Sequence, residues 1–94
     1  MKEKKFERKF SLGELSMTRN VRERLPMEEV IWALARHMSG DWGDLWDEDK
    51  RLNDEALKNG ERLLSVYRSD VEEKSYIITK GDRSVTMVLF PWEY

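Results

Sequence analysis

The sequence predicts an α+β fold in the order β-α-α-β-β-β, with two helices packed on one face of a mainly antiparallel four-stranded sheet. Three observations carry this. A complete amphipathic stripe lies between Pro26 and Gly40. A second stretch, 47–59, opens on three acidic residues and closes on Asn59-Gly60. Beyond it come three short runs rich in β-branched and aromatic residues, separated by turn chemistry. Two helices on one side of such a sheet is the economical layering.

The charged, aperiodic start, residues 1–9, reads as a flexible segment. Phe10, Leu12, Leu15 and Met17 mark a first, edge-like strand over 10–17, with Gly13 as a bulge or change of parity. Thr18 and Asn20 supply cap or turn chemistry, and Val21 to Leu25 are compatible with one helical turn.

Pro26 suits the first turn of a helix, where a missing N–H costs nothing. Glu28 and Glu29 favour the positive end of the helix dipole. Met27, Val30, Ile31, Leu34, Ala35 and Met38 then recur at helical spacing, giving a helix over 26–38. Ser39-Gly40 ends it.

Gly40-Asp41-Trp42-Gly43-Asp44-Leu45-Trp46 reads as a tight loop plugged onto the core by its tryptophans and Leu45. Leu52, Ala56 and Leu57 give the 47–59 helix a thinner stripe. The runs Arg62–Arg68, Lys74–Thr79 and Ser84–Phe90 are strand-like and make a three-stranded meander over 62–90. Apolar residues occupy both parities of the later strands, so the helix-facing side is not assigned. Pro91 stops the ladder and Trp92-Glu93-Tyr94 is expected to fold back.

The chain has 94 residues, enough for a single domain, and no cysteine. That excludes a disulfide framework, a thiolate zinc site and a cysteine nucleophile. Charged residues are 38% of the chain, yet four tryptophans (Trp32, Trp42, Trp46, Trp92) argue for a packed core, and at least two of them are expected in the core or an interface. No apolar run is long enough to span a membrane, and no hydrophobic signal region follows the start, so a cytoplasmic location is expected. The net charge of -2 hides a segregation. Residues 1–25 carry eight Lys or Arg against four Asp or Glu, whereas 40–61 carry three against eight. Such blocks can attract each other or face a partner. The overall balance counts against a nucleic-acid partner.

The candidate binding surface is His37, Asp41, Trp42, Arg62, Tyr67, Asp82 and Arg83. His37, the only histidine, stands four residues before Asp41; the pair could orient a general base, against the plainer role of a histidine at a helix C-terminus bonding a loop carbonyl. Asp41, Asp44, Asp47, Glu48 and Asp49 are dense enough to be weighed as a cation site, but the EF-hand spacing is not met, and capping is the better reading. Arg62, Tyr67, Arg68, Asp82 and Arg83 lie on or beside the meander, where arginine and tyrosine could hold a phosphate or a base. Ion pairing of Arg62 or Arg83 with the acidic loop is the favoured alternative. No phosphate loop, dinucleotide fingerprint, serine elbow or zinc pattern is present, and no catalytic residue, cofactor or metal is assigned.

Across 36–94, Arg36-His37, Gly40-Asp41-Trp42-Gly43-Asp44-Leu45, Asp82-Arg83-Ser84 and Pro91-Trp92-Glu93-Tyr94 resemble a small bacterial family of hypothetical or "plasmid-related" proteins. The resemblance implies a bacterial or phage host and association with mobile elements, and no particular activity. The element order alone is similar to that of RelE-type toxins, which implies a messenger-RNA nuclease drawing on His37, Arg62, Tyr67 and Arg83. The expected function is a non-enzymatic interaction protein with a protein partner, the chain itself being a monomer or homodimer. The alternatives are the RelE-like ribonuclease and a small-ligand-binding module using the space between the Gly40–Trp46 loop and the meander.

Overall fold

A computed structural model describes residues 7–70 and 74–94. Most of the charged start, residues 1–6, and the centre of the second turn, residues 71–73, fall outside the described residues. The elements run β1 (Glu14–Met17), α1 (Arg19–Arg24), α2 (Met27–Met38), α3 (Asp47–Asn59), β2 (Leu63–Tyr67), β3 (Ser75–Thr79) and β4 (Val85–Leu89), with a 3-10 turn at Pro91–Glu93. The α+β class and the four-stranded sheet are as the sequence predicts.

Two features differ. The sheet is mixed, in the order β1-β4-β3-β2: β2–β3–β4 form an antiparallel meander, but β1 pairs parallel to β4, Glu14 opposite Val85 and Met17 opposite Val88. There are also three helices. The stretch after Thr18 closes into α1, because the Thr18 side chain accepts from the backbone N–H of Val21. Val21 and Leu25 are buried there.

The first strand is shorter than expected. Residues 9–12 leave the ladder and cross the inner side of the sheet. The Lys9 N–H donates to the Met38 carbonyl at 2.8 Å, and the Leu12 carbonyl accepts from the Thr86 hydroxyl at 2.7 Å. Gly13, at φ 65°, then turns the chain into β1. A Cβ on Gly13 would lie 2.3 Å from the Ser84 carbonyl oxygen, so no other residue fits this approach.

The strands assign their own faces. Inward point Leu63, Ser65 and Tyr67, Ile77 and Thr79, and Thr86, Val88 and Phe90, all buried. Val21, Leu25, Val30 and Leu34 from α1 and α2 meet Tyr67, Ile77, Val88 and Phe90 in one core cluster. A second gathers Trp42, Ala56 and Leu63, with Phe10, Leu45 and Leu57 against it. Helix α2 is rotated from its apolar stripe. Val30, Leu34 and His37 face the core, while Met27 is 46% and Ile31 60% exposed. Of the tryptophans, Trp42 alone lies in the core; Trp32, Trp46 and Trp92 are each more than half exposed.

The two long edges of the sheet differ. At β2 the outward backbone groups are taken up. The Val66 N–H donates to the Trp42 carbonyl, and the Val66 carbonyl accepts from the Asp44 N–H at 2.7 Å. The Asn53 side chain of α3 does the same for Leu64, donating to its carbonyl at 2.8 Å and accepting its N–H at 3.1 Å. Gly43, at φ 79°, makes the pairing possible: a Cβ there would meet the Val66 oxygen at 2.0 Å.

Candidate functional site

His37 is fully buried near the end of α2. Its Nδ1 lies 2.6 Å from the Ser65 hydroxyl, and its Nε2 2.8 Å from the Thr79 hydroxyl. Thr79 continues to Thr86 at 2.7 Å, and Thr86 donates to the Leu12 carbonyl. That last bond orients the whole chain. A carbonyl can only accept, so the Thr86 proton is committed to Leu12. Thr79 must then donate to Thr86, and His37 must donate from Nε2 to Thr79. The low imidazole pKa keeps the ring neutral, so its proton sits on Nε2 and Nδ1 accepts from the Ser65 hydroxyl.

Burial pushes the imidazole pKa down to about 3, and the Arg83 charge adds to the effect. The ring edges are closed by Phe10, at 5.2 Å between centroids, and Trp42, at 5.8 Å. A serine hydroxyl on a histidine has the look of an activated nucleophile. Here Ser65 and His37 are both fully buried, so neither can meet a substrate in this conformation. The arrangement ties α2, β2, β3, β4 and the 9–12 segment together.

Asp41 does not pair with His37. Its carboxylate takes two bonds from Arg36, at 2.8 and 3.2 Å, and its carbonyl accepts from the Tyr67 hydroxyl at 2.6 Å. The Arg36 guanidinium lies over the Tyr67 ring at 4.7 Å. Burial raises the Tyr67 phenol well above its ordinary range, with the Asp41 charge acting in the same direction, so it is a hydroxyl donor at neutral pH. Trp42 sits beneath the loop and donates its indole N–H to Asp54 of α3 at 2.9 Å.

Arg62 and Arg83 take other partners than the acidic loop. Arg83 donates to the carbonyls of Glu61, at 2.6 Å, and Ala56, at 3.1 Å, closing the C-terminal end of α3, where free carbonyls and the dipole favour a cation. Arg62 donates to the Tyr94 hydroxyl. Asp82 accepts from the backbone and side chain of Ser84. The loop's own carboxylates are met by Arg36 on Asp41 and Arg68 on Asp44, each from the element nearest in space. Asp47, Glu48 and Asp49 form the first turn of α3, and no group of three metal-ligating side chains is assembled among the described residues.

The predicted surface therefore divides. His37, Trp42 and Tyr67 are interior, Asp41 is beside them, and Arg62, Asp82 and Arg83 lie around the far end of the meander. The sequence reading missed Ser65, Thr79 and Thr86. Their signal was a hydroxyl at inward parity in each of three otherwise apolar strands. Trp46, expected to plug the loop, is 82% exposed, because α3 begins immediately after it and carries the chain away from the core.

Two hollows flank these groups. One, of about 350 Å³, lies between α2 and the sheet, with Leu25, Val30, Ala33, Tyr67 and Val88 in its lining. Another, of about 440 Å³, lies beside the loop at Asp44, Trp46, Arg68 and Lys74. Opposite the helices, Leu64, Tyr76, Ile78, Val85 and Met87 are intermediate to exposed, with the Tyr94 ring against Tyr76. No helix among the described residues is long and apolar enough to cross a membrane. No protein-family model, curated protein or solved structure matches this chain.

Proposed function

We propose that this protein is a non-enzymatic interaction protein that works by presenting apolar and aromatic surface to a protein partner, associated with plasmids or other mobile elements. The observation that carries the reading is the partly open apolar face of the sheet, where Met87 is 39% exposed and Leu64, Tyr76 and Ile78 are only partly covered. Tryptophan, tyrosine and arginine are also the residues that most often anchor protein interfaces, and Trp46, Tyr94 and Arg62 are all exposed. The mobile-element setting rests on the wording of residues 36–94 alone.

The ribonuclease reading has less support, since it needs His37 and Tyr67 on a reachable surface and both are buried. The ligand-binding reading, set between the Gly40–Trp46 loop and the meander, draws on the hollow at Asp44, Trp46, Arg68 and Lys74, and the 350 Å³ hollow beside α2 offers a second place of small-molecule size.

The test is affinity capture with the whole chain from a bacterial lysate at low salt, alongside incubation of the pure protein with RNA. A defined protein partner, recovered in constant ratio and released by excess free chain, is expected, with RNA left intact. RNA cleavage lost in Arg62→Ala or Arg83→Ala would overturn the reading in favour of the nuclease. Failure to retain any partner would overturn it as well.

A further inference from the structure

The strand register sorts the outer sheet face into rows. The central row is Ser16, Met87, Ile78 and Leu64, neighbours across β1, β4, β3 and β2. The next is Leu89, Tyr76 and Val66, of which Leu89 and Val66 are buried and Tyr76 is partly covered. The apolar band left open on this face is therefore the central row, with Tyr76 on one side of it and Val85 on the other. The band is framed by charge at both ends of β2 and β3. Arg62 and Lys80 stand at one end, one residue outside their strands, and Arg68 and Lys74 at the other.

These cations are unequally occupied. Arg68 is neutralised by Asp44 at 2.7 Å. Arg62 is bonded to a phenol, which leaves its charge uncompensated. Neither Lys74 nor Lys80 has an ion-pair partner among the described residues. Within the described residues of the four strands, the outward carboxylate is Glu14, at the far strand. The open row is thus flanked by three cations, Arg62, Lys74 and Lys80, that no carboxylate among the described residues pairs with, on a chain whose net charge is -2.

That pattern selects among occupants. A second copy of the chain would set cations against cations. A nucleic acid would meet the phosphate-binding charges, but the centre of the band is aliphatic, and Tyr76 and Tyr94 are turned edge to face against each other at 6.0 Å, which offers no flat stacking platform. An amphipathic helix with an apolar stripe and acidic flanks satisfies both features. Successive rows lie about 6.7 Å apart along the strands, so the central row with Tyr76 and Val85 beside it matches the contact stripe of a helix about 10 Å across, and its flanking carboxylates reach the cations on either side. Four strands about 4.8 Å apart accommodate roughly three helical turns lying across them.

Building on the interaction-protein reading, we infer that the outer face of the sheet is the docking surface for an acidic amphipathic helix of the partner protein.

The probe is a synthetic helical peptide of about four turns, with leucines at i, i+3, i+4 and i+7 and glutamates on both flanks. It is titrated into the isotope-labelled whole chain by NMR. The backbone signals of Leu64, Tyr76, Ile78 and Met87 should shift. The Lys74→Glu, Lys80→Glu double variant, whose own spectrum checks its fold, should bind at least tenfold more weakly. The same peptide with lysine in place of glutamate should not bind. Equal binding of the lysine peptide, or no shifts on the outer face, would overturn the inference. So would shifts on this face produced by a single-stranded oligonucleotide alone, or by raising the concentration of the chain itself. If a partner captured from lysate is retained undiminished by the double variant, the docking surface is wrong and the interaction reading stands. If nothing is captured by either form, the reading itself fails.

Discussion

On the inner face of the sheet, Ser65, Thr79 and Thr86 stand fully buried beside His37. On the outer face, the neighbouring positions Leu64, Ile78 and Met87 meet water, at least in part. The same three strands thus bury hydroxyls and display hydrocarbon. The inner side tolerates this because each polar group has a partner: no buried side-chain nitrogen or oxygen among the described residues lacks one. A hydrogen bond contributes only about 1 kcal/mol net, but a buried group left unmatched costs about 1–3 kcal/mol. A closed polar chain therefore specifies how α2 sits on the sheet more than it adds to stability. The outer face is covered only in part, at Val66 and Leu89, and the hydrocarbon left open at Leu64, Ile78 and Met87 is what the proposed docking would use.

The contrast breaks first where the inner layer is thickest. Trp42 fills the space under the loop against Ala56 and Leu63. Trp42→Ala should cost about 3–5 kcal/mol, read by chemical denaturation. A loss below about 1 kcal/mol would place the ring outside the core and return it to the candidate binding surface. The Asp54 bond to its indole is lost in the same variant, so part of the cost is electrostatic.

Thr86→Val tests the polar half of the inner face. The change is nearly isosteric and makes a buried position more apolar, so transfer energy alone favours it. It also leaves the Leu12 carbonyl and the Thr79 hydroxyl without their partner. A loss of about 1–3 kcal/mol is expected. A neutral or stabilising result would mean that the chain of hydroxyls holds nothing in place.

How much of this was legible in the sequence depended on range. Helix α2 is bounded by Pro26 and Gly40 and α3 by Asp47 and Gly60, so both were readable from local chemistry alone. The meander was readable for the same reason. The rotation of α2 was not, because periodicity reports which positions are apolar, and Met27 and Ile31 are apolar without being buried. The parallel pairing of β1 with β4 joins Glu14 to Val85 across nearly the whole chain, and nothing local encodes it. His37 and Trp42 stood out as residues of interest, but their partners come from β2, β3 and α3, which spacing along the chain does not reveal.

The His37 chain also carries a pH dependence. The ring's pKa is near 6.5 when unfolded and about 3 when folded. Above about pH 7 both forms are neutral and the group has no effect on stability. Below 6.5 the unfolded chain binds a proton that the folded chain refuses, so stability falls as pH drops toward 3. The loss at pH 5.5 relative to pH 8 is about 1.4 kcal/mol from this group. Denaturation at the two pH values should show that difference, and His37→Gln should remove it. The ring nitrogen shifts should report the Nε2–H tautomer throughout that range. A ring that titrates near 6.5 in the folded protein would mean that water reaches it.

The smallest effect is the most telling for the outer face. Met87 follows Thr86 in β4 and points the other way. Its side chain lies between Ser16 and Ile78 in the register and is 39% exposed. Met87→Thr keeps a residue suited to a strand and removes apolar surface that the isolated chain does not bury completely. Stability should change by less than about 0.5 kcal/mol. Binding of the acidic helical peptide should weaken in the same variant, since the lost contact is realised only in the complex. A stability loss above about 1 kcal/mol, or one that grows with protein concentration, would show that this face is already covered in the free protein. The two sides of the sheet would then both be core, and the reason for reading the outer one as a docking surface would be gone.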